Sequence, residues 1–123
     1  MSVANSQVHI PFRAGADLSA AANLYKFVKV SGESEVNIAN ATDVAIGVLQ
    51  NRPQLGEGAD VVVGGRTQAV AGAAIADGQQ ITCNASGQAI VATTGEPIFG
   101  IALTTVANAG EIVDVLLGYG GEA

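Results

Sequence analysis

The sequence is poor in the residues on which most protein chemistry depends. Its 123 residues include one histidine, one cysteine and no tryptophan. A single cysteine excludes an intramolecular disulfide, and without a Cys or His cluster there is no metal-binding pattern. His9 is the only residue that could serve a Ser-His-Asp triad, and it lies outside the predicted folded body. We therefore expect a protein that is not an enzyme and that holds no cofactor and no metal.

Charge is also scarce. Only 13% of the residues are charged, and the formal net charge is −6. Phosphate-backbone binders cluster Lys and Arg, whereas the five basic residues here are scattered, so we expect no nucleic-acid partner. The surface of a small soluble domain is commonly about 25–35% charged. We therefore expect part of this surface to contact protein.

Long apolar segments are missing as well. No run approaches the roughly 18 apolar residues of a membrane span. Residues 1–23 lack the basic start and apolar centre of a signal peptide. We expect no membrane contact and a protein that stays in the compartment where it is made.

What the chain does have is glycine, small aliphatic residues and regularly spaced turn signals. Sixteen glycines and many short Val- and Ile-rich segments predict an all-β fold, a small barrel or sandwich. Dipeptides such as Gly64-Gly65, Asp77-Gly78 and Ser86-Gly87 are expected to end strands. The predicted strands are residues 24–30, 36–38, 45–49, 61–63, 68–70, 80–83, 88–92, 98–103 and 112–117.

An internal repeat supports this prediction. Residues 56–64 (GEGADVVVG) and 110–118 (GEIVDVLLG) are identical at five of nine positions. Upstream, residues 45–48 (AIGV) correspond to residues 98–101 (IFGI). A long period seen twice fits two halves of one closed core better than an open array. We therefore predict a pseudo-symmetric barrel.

The repeat also bears on the only candidate catalytic acids. Glu57 with Glu111, or Asp60 with Asp114, could be taken for a carboxylate pair that performs acid and base catalysis. Each acid, however, occupies the same place in the repeat. The simpler interpretation is a shared turn in which the carboxylates are solvated or cap nearby amides.

Residues 1–23 lack this turn spacing, and we interpret them as an extended N-terminal arm outside a single β-rich domain, residues 24–123. Apolar and polar residues alternate in the arm, so it could lie as a strand on a partner surface. We expect it to contribute more to partner binding than to folding. The candidate contact residues are Val8, Ile10, Pro11, Phe12 and Arg13.

The order of these segments resembles the capsid decoration, or head cement, proteins of tailed bacteriophages. The similarity covers residues 12–117. It is carried by residues 14–19 (AGADLS), 25–29 (YKFVK), 45–53 (AIGVLQNRP), 61–65 (VVVGG), 100–103 (GIAL) and 109–111 (AGE).

The resemblance implies a non-catalytic protein of the virion, made in the host bacterial cytoplasm and bound to the outer surface of the capsid. It would stabilise the expanded shell by bridging subunits of the major capsid protein. It would also associate with itself, as a homotrimer at local three-fold positions.

Two other functions stay open. The chain could be a binding module displayed on the virion, or the base of a head fibre, for adhesion to a host surface or carbohydrate. A carbohydrate-binding module would favour exposed aromatic residues on loops, and the chain has only three Phe and two Tyr. A small β-barrel enzyme would require a pocket that brings the separated acids together.

Overall fold

The computed structural model describes residues 7–117, and these residues form an all-β protein, as predicted. A short 3-10 turn, Ala21–Asn23, joins the first two strands. The strands are β1 (Gln7–Ala14), β2 (Phe27–Gly32), β3 (Glu35–Ile38), β4 (Ala45–Leu49), β5 (Gly58–Val70), β6 (Gln80–Cys83), β7 (Ala89–Val91), β8 (Gly100–Ala102) and β9 (Ile112–Leu117).

Five strands close into a first ring in the order β1-β3-β2-β4-β5, because β1 also pairs with β5. The β1–β5 pairing is antiparallel and extends from Gln7 opposite Gly65 to Arg13 opposite Gly58. Closing the sheet in this way removes most of the free strand edges that would otherwise pair with other chains.

The remaining strands form a second ring with the far end of β5. Their order is β5-β9-β8-β6-β7, and a parallel bridge from Ala71 to Ala89 returns β7 to the end of β5. The long strand β5 therefore belongs to both rings. At its centre, Gly65 pairs with Gln7 of β1 on one edge and with Leu117 of β9 on the other.

The two rings repeat the same strand registers, which confirms the predicted pseudo-symmetry. Val28 pairs with Ile38 in the first ring, and Ile81 pairs with Val91 in the second, 53 residues further along the chain. The β4–β5 pair Val48–Val62 likewise corresponds to the β8–β9 pair Ile101–Leu116. In this scheme, β1 corresponds to the second half of β5.

One glycine in each repeat allows two strands to approach closely. A side chain at Gly47 of β4 would collide with the carbonyl oxygen of Val62 in β5. A side chain at Gly100 of β8 would collide in the same way with the carbonyl oxygen of Leu116 in β9. The glycine that the two repeats share in sequence is therefore required by packing.

Each ring has its own apolar interior. Inward-facing residues of β1 to β5, together with Leu18, fill the interior of the first ring. It consists of Ala14, Leu18, Val28, Val36, Leu49, Ala59 and Val61. In the second ring, residues such as Ile81, Val113 and Val115 occupy the corresponding positions.

The outer face of the first ring covers the second ring. Phe27, Val48 and Val62 lie side by side across β2, β4 and β5, and we call them the first outer row. All three are fully buried, and they belong to the core cluster of the second ring. The rings of Phe27 and Phe99 are 5.4 Å apart at their centroids. The outer face of the first repeat is therefore part of the core of the second.

The boundary predicted at residue 23 is wrong. Residues 7–14 are extended, as expected, but they form a strand of the first ring, and Ala14 and Leu18 are buried in its core. The segment belongs to the fold because its backbone hydrogen bonds are made with β5 and β3 and not with a partner. Residues 1–6 of the predicted arm lie outside the described residues.

The strand break predicted at Gly64-Gly65 is also wrong. Gly65 has a positive φ of 86°, a conformation that glycine adopts readily, but the strand continues to Val70. It continues because β9 takes over from β4 as the hydrogen-bonding neighbour of β5 at this point.

Candidate interaction surface

The five predicted contact residues lie on β1, but they do not form one apolar strip. Ile10 and Phe12 are paired with the buried residues Val61 and Ala59, so they face the interior of the first ring. Phe12 packs against that core, whereas Ile10 is still 40% exposed.

Val8, Pro11 and Arg13 are exposed, and a register shift between Val8 and His9 interrupts the alternation. Only these three of the five predicted residues are therefore well placed to meet a partner on the outside of β1.

An open depression of about 500 Å³ lies beside this strand. Its lining consists of Pro11, Phe12, Arg13, Glu33 and Ser34. Backbone and side-chain contacts join its two sides, because the Arg13 N–H donates to the Ser34 carbonyl at 2.9 Å and Arg13 Nε lies 3.5 Å from Glu35 Oε2. The depression carries charge of both signs and one aromatic ring, which suits a polar protein surface.

Each repeat places a basic side chain against an aspartate at an equivalent position on its outer face. His9 Nδ1 lies 2.8 Å from Asp60 Oδ1 in the first repeat. In the second, Arg66 donates to Asp114 at 2.7 Å. The strand register shows that the two pairs are equivalent. His9 is opposite Val62 and Arg66 is opposite Leu116, and Val62 and Leu116 are corresponding residues of the two repeats. The acids Asp60 and Asp114 are thus each engaged with a basic side chain from the neighbouring strand.

The two glutamates cap turns, as the repeat predicts. Glu57 accepts a hydrogen bond from the Gln54 N–H at 2.7 Å, and Glu111 accepts one from the Asn108 N–H at 2.7 Å. The glycine before each glutamate has a positive φ, 83° at Gly56 and 90° at Gly110. Each carboxylate is therefore occupied with the amides of its own turn.

Other polar features of the described residues are structural. The Cys83 thiol is buried, donates to the Asn40 carbonyl at 3.4 Å, and has a pKa raised to about 11 by burial. Among residues 7–117, no group of three or more His, Cys, Asp or Glu side chains could hold a metal ion. The same residues include no helix long and apolar enough to cross a bilayer.

The structure exposes apolar residues that the sequence analysis did not single out. Val30 of β2 is 55% exposed and Leu116 of β9 is 43% exposed. Both lie in regular strands, where alternation alone did not show which face is covered. The sequence carries no signal for this exposure, because the equivalent residues of the other repeat, Cys83 and Val62, are apolar as well and are buried.

Comparisons with known proteins bear on the fold. The chain matches no protein-family model, and no curated protein sequence is similar to it. Among solved structures, it is similar to the gp8.5 N base of the head fibre of bacteriophage phi29, with a TM-score of 0.70 and 20% sequence identity. The similarity covers 91% of this chain and 94% of that one, so the two chains have the same fold along nearly their whole lengths.

Proposed function

We propose that this chain is a non-catalytic structural protein of a tailed-phage virion, bound to the outer surface of the capsid. The observation that carries the proposal is the likeness to a phage head-fibre base, which extends over nearly the whole of both chains. The sequence resemblance to capsid decoration proteins points to the same location. In the specific role that we propose, the chain stabilises the expanded shell by bridging subunits of the major capsid protein.

The physical properties of the described fold support a load-bearing role. The pairing of β1 with β5 closes the first ring, and one parallel bridge returns β7 to the end of β5 in the second, so few strand edges are left free. The outer face of the first ring is also buried in the core of the second. Few residues of the chain are charged, and charged residues are also rare in the centre of protein interfaces. Many copies on a symmetric shell would multiply modest contacts into strong attachment.

We assign the capsid contact to the outside of β1, centred on the depression beside Pro11 and Arg13. Both residues are exposed, and Arg13 carries a charge that can pair with an acidic or polar surface. Val8 extends the same strand toward its N-terminal end. Phe12 contributes to the depression only with the part of its ring that the core leaves uncovered.

A second candidate function is the base of a head fibre, or another binding module displayed on the virion. The likeness to the phi29 structure favours it, since that protein is the base of a fibre. Both candidates require attachment to the capsid. They differ in purpose, because a cement protein strengthens the shell by itself and a fibre base carries another structure outward.

The test is to mix purified protein with undecorated expanded capsids of the phage that encodes it. Regular density on the outside of the shell, seen by electron microscopy, is the result expected for either candidate. Decorated capsids should also retain their DNA at a higher temperature than bare ones if the protein is a cement. Decoration without any gain in stability would favour the fibre base, and no binding would refute both.

The assigned contact is tested by Arg13→Glu, which should lower occupancy on the shell in a sedimentation assay. The matched control is Arg52→Glu, an equal charge change at another exposed arginine, which bonds to the Ser19 carbonyl away from β1. Equal binding by both variants would move the contact elsewhere on the protein.

A further inference from the structure

The contact between the two repeats provides a template for a contact between two copies of the chain. Within one chain, the first outer row covers inward-facing residues at one end of the second ring. That end consists of Thr67, Cys83 and Phe99, and we call it the second rim. Phe99 packs against Phe27, Thr67 accepts a hydrogen bond from Gln50 at 3.0 Å, and Cys83 donates to the Asn40 carbonyl. Thr67 and Cys83 are consequently buried, and Phe99 is half-buried.

The strand registers identify the counterpart of each surface. The counterparts of Phe27, Val48 and Val62 are Gln80, Ile101 and Leu116, which lie side by side across β6, β8 and β9. We call these the second outer row. The counterparts of Thr67, Cys83 and Phe99 are Ile10, Val30 and Ile46, which we call the first rim.

Neither counterpart surface is covered by the described part of the chain. In the first rim, Val30 and Ile10 are exposed although they face the ring interior, and Ile46 is half-buried. In the second outer row, Leu116 is exposed and Ile101 is half-buried. The equivalent residues of the internal contact are almost all fully buried. The described part of each chain therefore has one unused copy of each side of its own internal interface.

We propose that the second outer row of one chain packs on the first rim of another, so that copies associate head to tail. The occupant is a second copy of this chain, since this pair of surfaces repeats a contact that the chain already makes internally. The inference rests on the internal repeat alone and does not depend on attachment to a capsid. A head-to-tail contact of this kind closes into a ring when its rotation permits.

The contact between chains is weaker than the internal one for two reasons. Within the chain, residues 25–27 insert backbone into the second ring, where the Val70 N–H donates to the Tyr25 carbonyl and the Phe27 N–H donates to the Gly87 carbonyl. In the first ring, Arg13 and Ser34 correspond to Val70 and Gly87, and the Arg13 N–H donates directly to the Ser34 carbonyl. No backbone of a second chain can therefore insert between them. In addition, Gln80 replaces the aromatic ring of Phe27. Association should therefore depend on protein concentration.

The first experiment measures molecular mass by analytical ultracentrifugation over a range of concentrations. The wild-type chain should rise above the mass of one chain as concentration increases. Val30→Glu and Leu116→Glu each place a charge on one of the two surfaces, and both should remain at the mass of one chain. Because both positions are exposed, the variants should keep the circular dichroism spectrum and melting temperature of the wild type.

The second experiment mixes the two variants. A head-to-tail contact leaves Val30→Glu with an intact outer row and Leu116→Glu with an intact rim. The mixture should therefore form a complex of two chains and nothing larger. Leu55→Glu is the matched control, since Leu55 is 68% exposed in a turn and belongs to neither surface. It should associate like the wild type.

The proposal would be overturned by a wild-type chain that stays at the mass of one chain throughout, by a Leu116→Glu variant that associates like the wild type, or by a mixture of the two variants that shows no complex. Loss of association in Leu55→Glu would also overturn it, because the contact would then lie on another surface.

Discussion

At the scale of single residues, the absence of a side chain is as important as its presence. Gly47 and Gly100 occupy equivalent positions, and each lies against the backbone carbonyl of a neighbouring strand. By contrast, Gly58 at the start of β5 has open space where a side chain would be, and its φ is not positive. These positions make a matched pair for testing close strand packing.

We predict that Gly47→Ala destabilises the protein by about 1–3 kcal/mol, the usual cost of overpacking a core. The added methyl group would push β4 away from the Val62 carbonyl and weaken the pairing of β4 with β5. Urea unfolding followed by circular dichroism measures the change. Gly58→Ala should leave the midpoint nearly unchanged, and equal effects of the two substitutions would contradict this explanation.

The second residue-scale prediction concerns Cys83. Because burial raises the pKa of its thiol from 9.0 to about 11, the folded protein holds this proton more tightly than the unfolded chain. Stability from this group is therefore present below about pH 9 and is lost as pH rises toward 11.

At pH 8 only about one thiol in a thousand would be ionised, so a disulfide reagent should react very slowly with the folded protein. Complete reaction is expected in denaturant, and rapid reaction with the folded protein would show that Cys83 is accessible.

At the scale of elements, β1 is the strand whose role changes most between sequence and structure. It supplies one wall of the first ring, pairs along the first half of β5, and leads into the buried Ala14 and Leu18. Without β1, one edge of β5 would be exposed from Gly58 to Gly65, and the first core would open to water.

We therefore predict that deletion of residues 1–12 lowers the melting temperature strongly or prevents folding. Deletion of residues 1–6, which removes no described residue, is the comparison. Differential scanning calorimetry measures both variants. If the longer deletion left the melting temperature unchanged, β1 would be dispensable, and the segment would behave as the separate arm that the sequence suggested.

Several elements could be predicted from the sequence alone, with the same bounds that the structure gives. They are β4, β6 and β9, where apolar segments of four to six residues end at clear turn signals. The sequence predicts two strands in place of β5, because Gly64-Gly65 has the composition of a turn. The strand continues through these glycines because its hydrogen-bonding neighbour changes from β4 to β9.

The sequence does not reveal the role of β1, because β1 corresponds to the second half of β5. The predicted break at Gly64-Gly65 hides that half. Residues 14–16 (AGA) and 71–73 (AGA) do align, 57 residues apart, but the match is too short to be noticed without the register. Exposure of the first rim and the second outer row could not be predicted, because it depends on which ring covers the other.

At the scale of the whole molecule, the two rings are joined by core packing as well as by the chain. Phe27 belongs to β2 of the first ring, but its side chain lies in the core of the second. The rings should therefore unfold together, since opening either one exposes apolar surface of both.

Phe27→Ala tests this coupling and should destabilise the protein by about 3–5 kcal/mol. Amide hydrogen exchange should accelerate in β6 and β7 of the second ring as well as in β2. Val30→Ala on the same strand is the control, because Val30 is exposed and its truncation should cost less than about 0.5 kcal/mol. Faster exchange confined to the first ring would mean that the two rings are independent.

The double pairing of Gly65 has a consequence for how this fold can be joined to other chains. Gln7 and Leu117 flank Gly65 on opposite edges of β5, so the first and last described residues are only two strand spacings, about 10 Å, apart. A few residues can bridge that gap. The described unit can therefore be circularly permuted, or inserted into a surface loop of a host protein, without stretching either polypeptide.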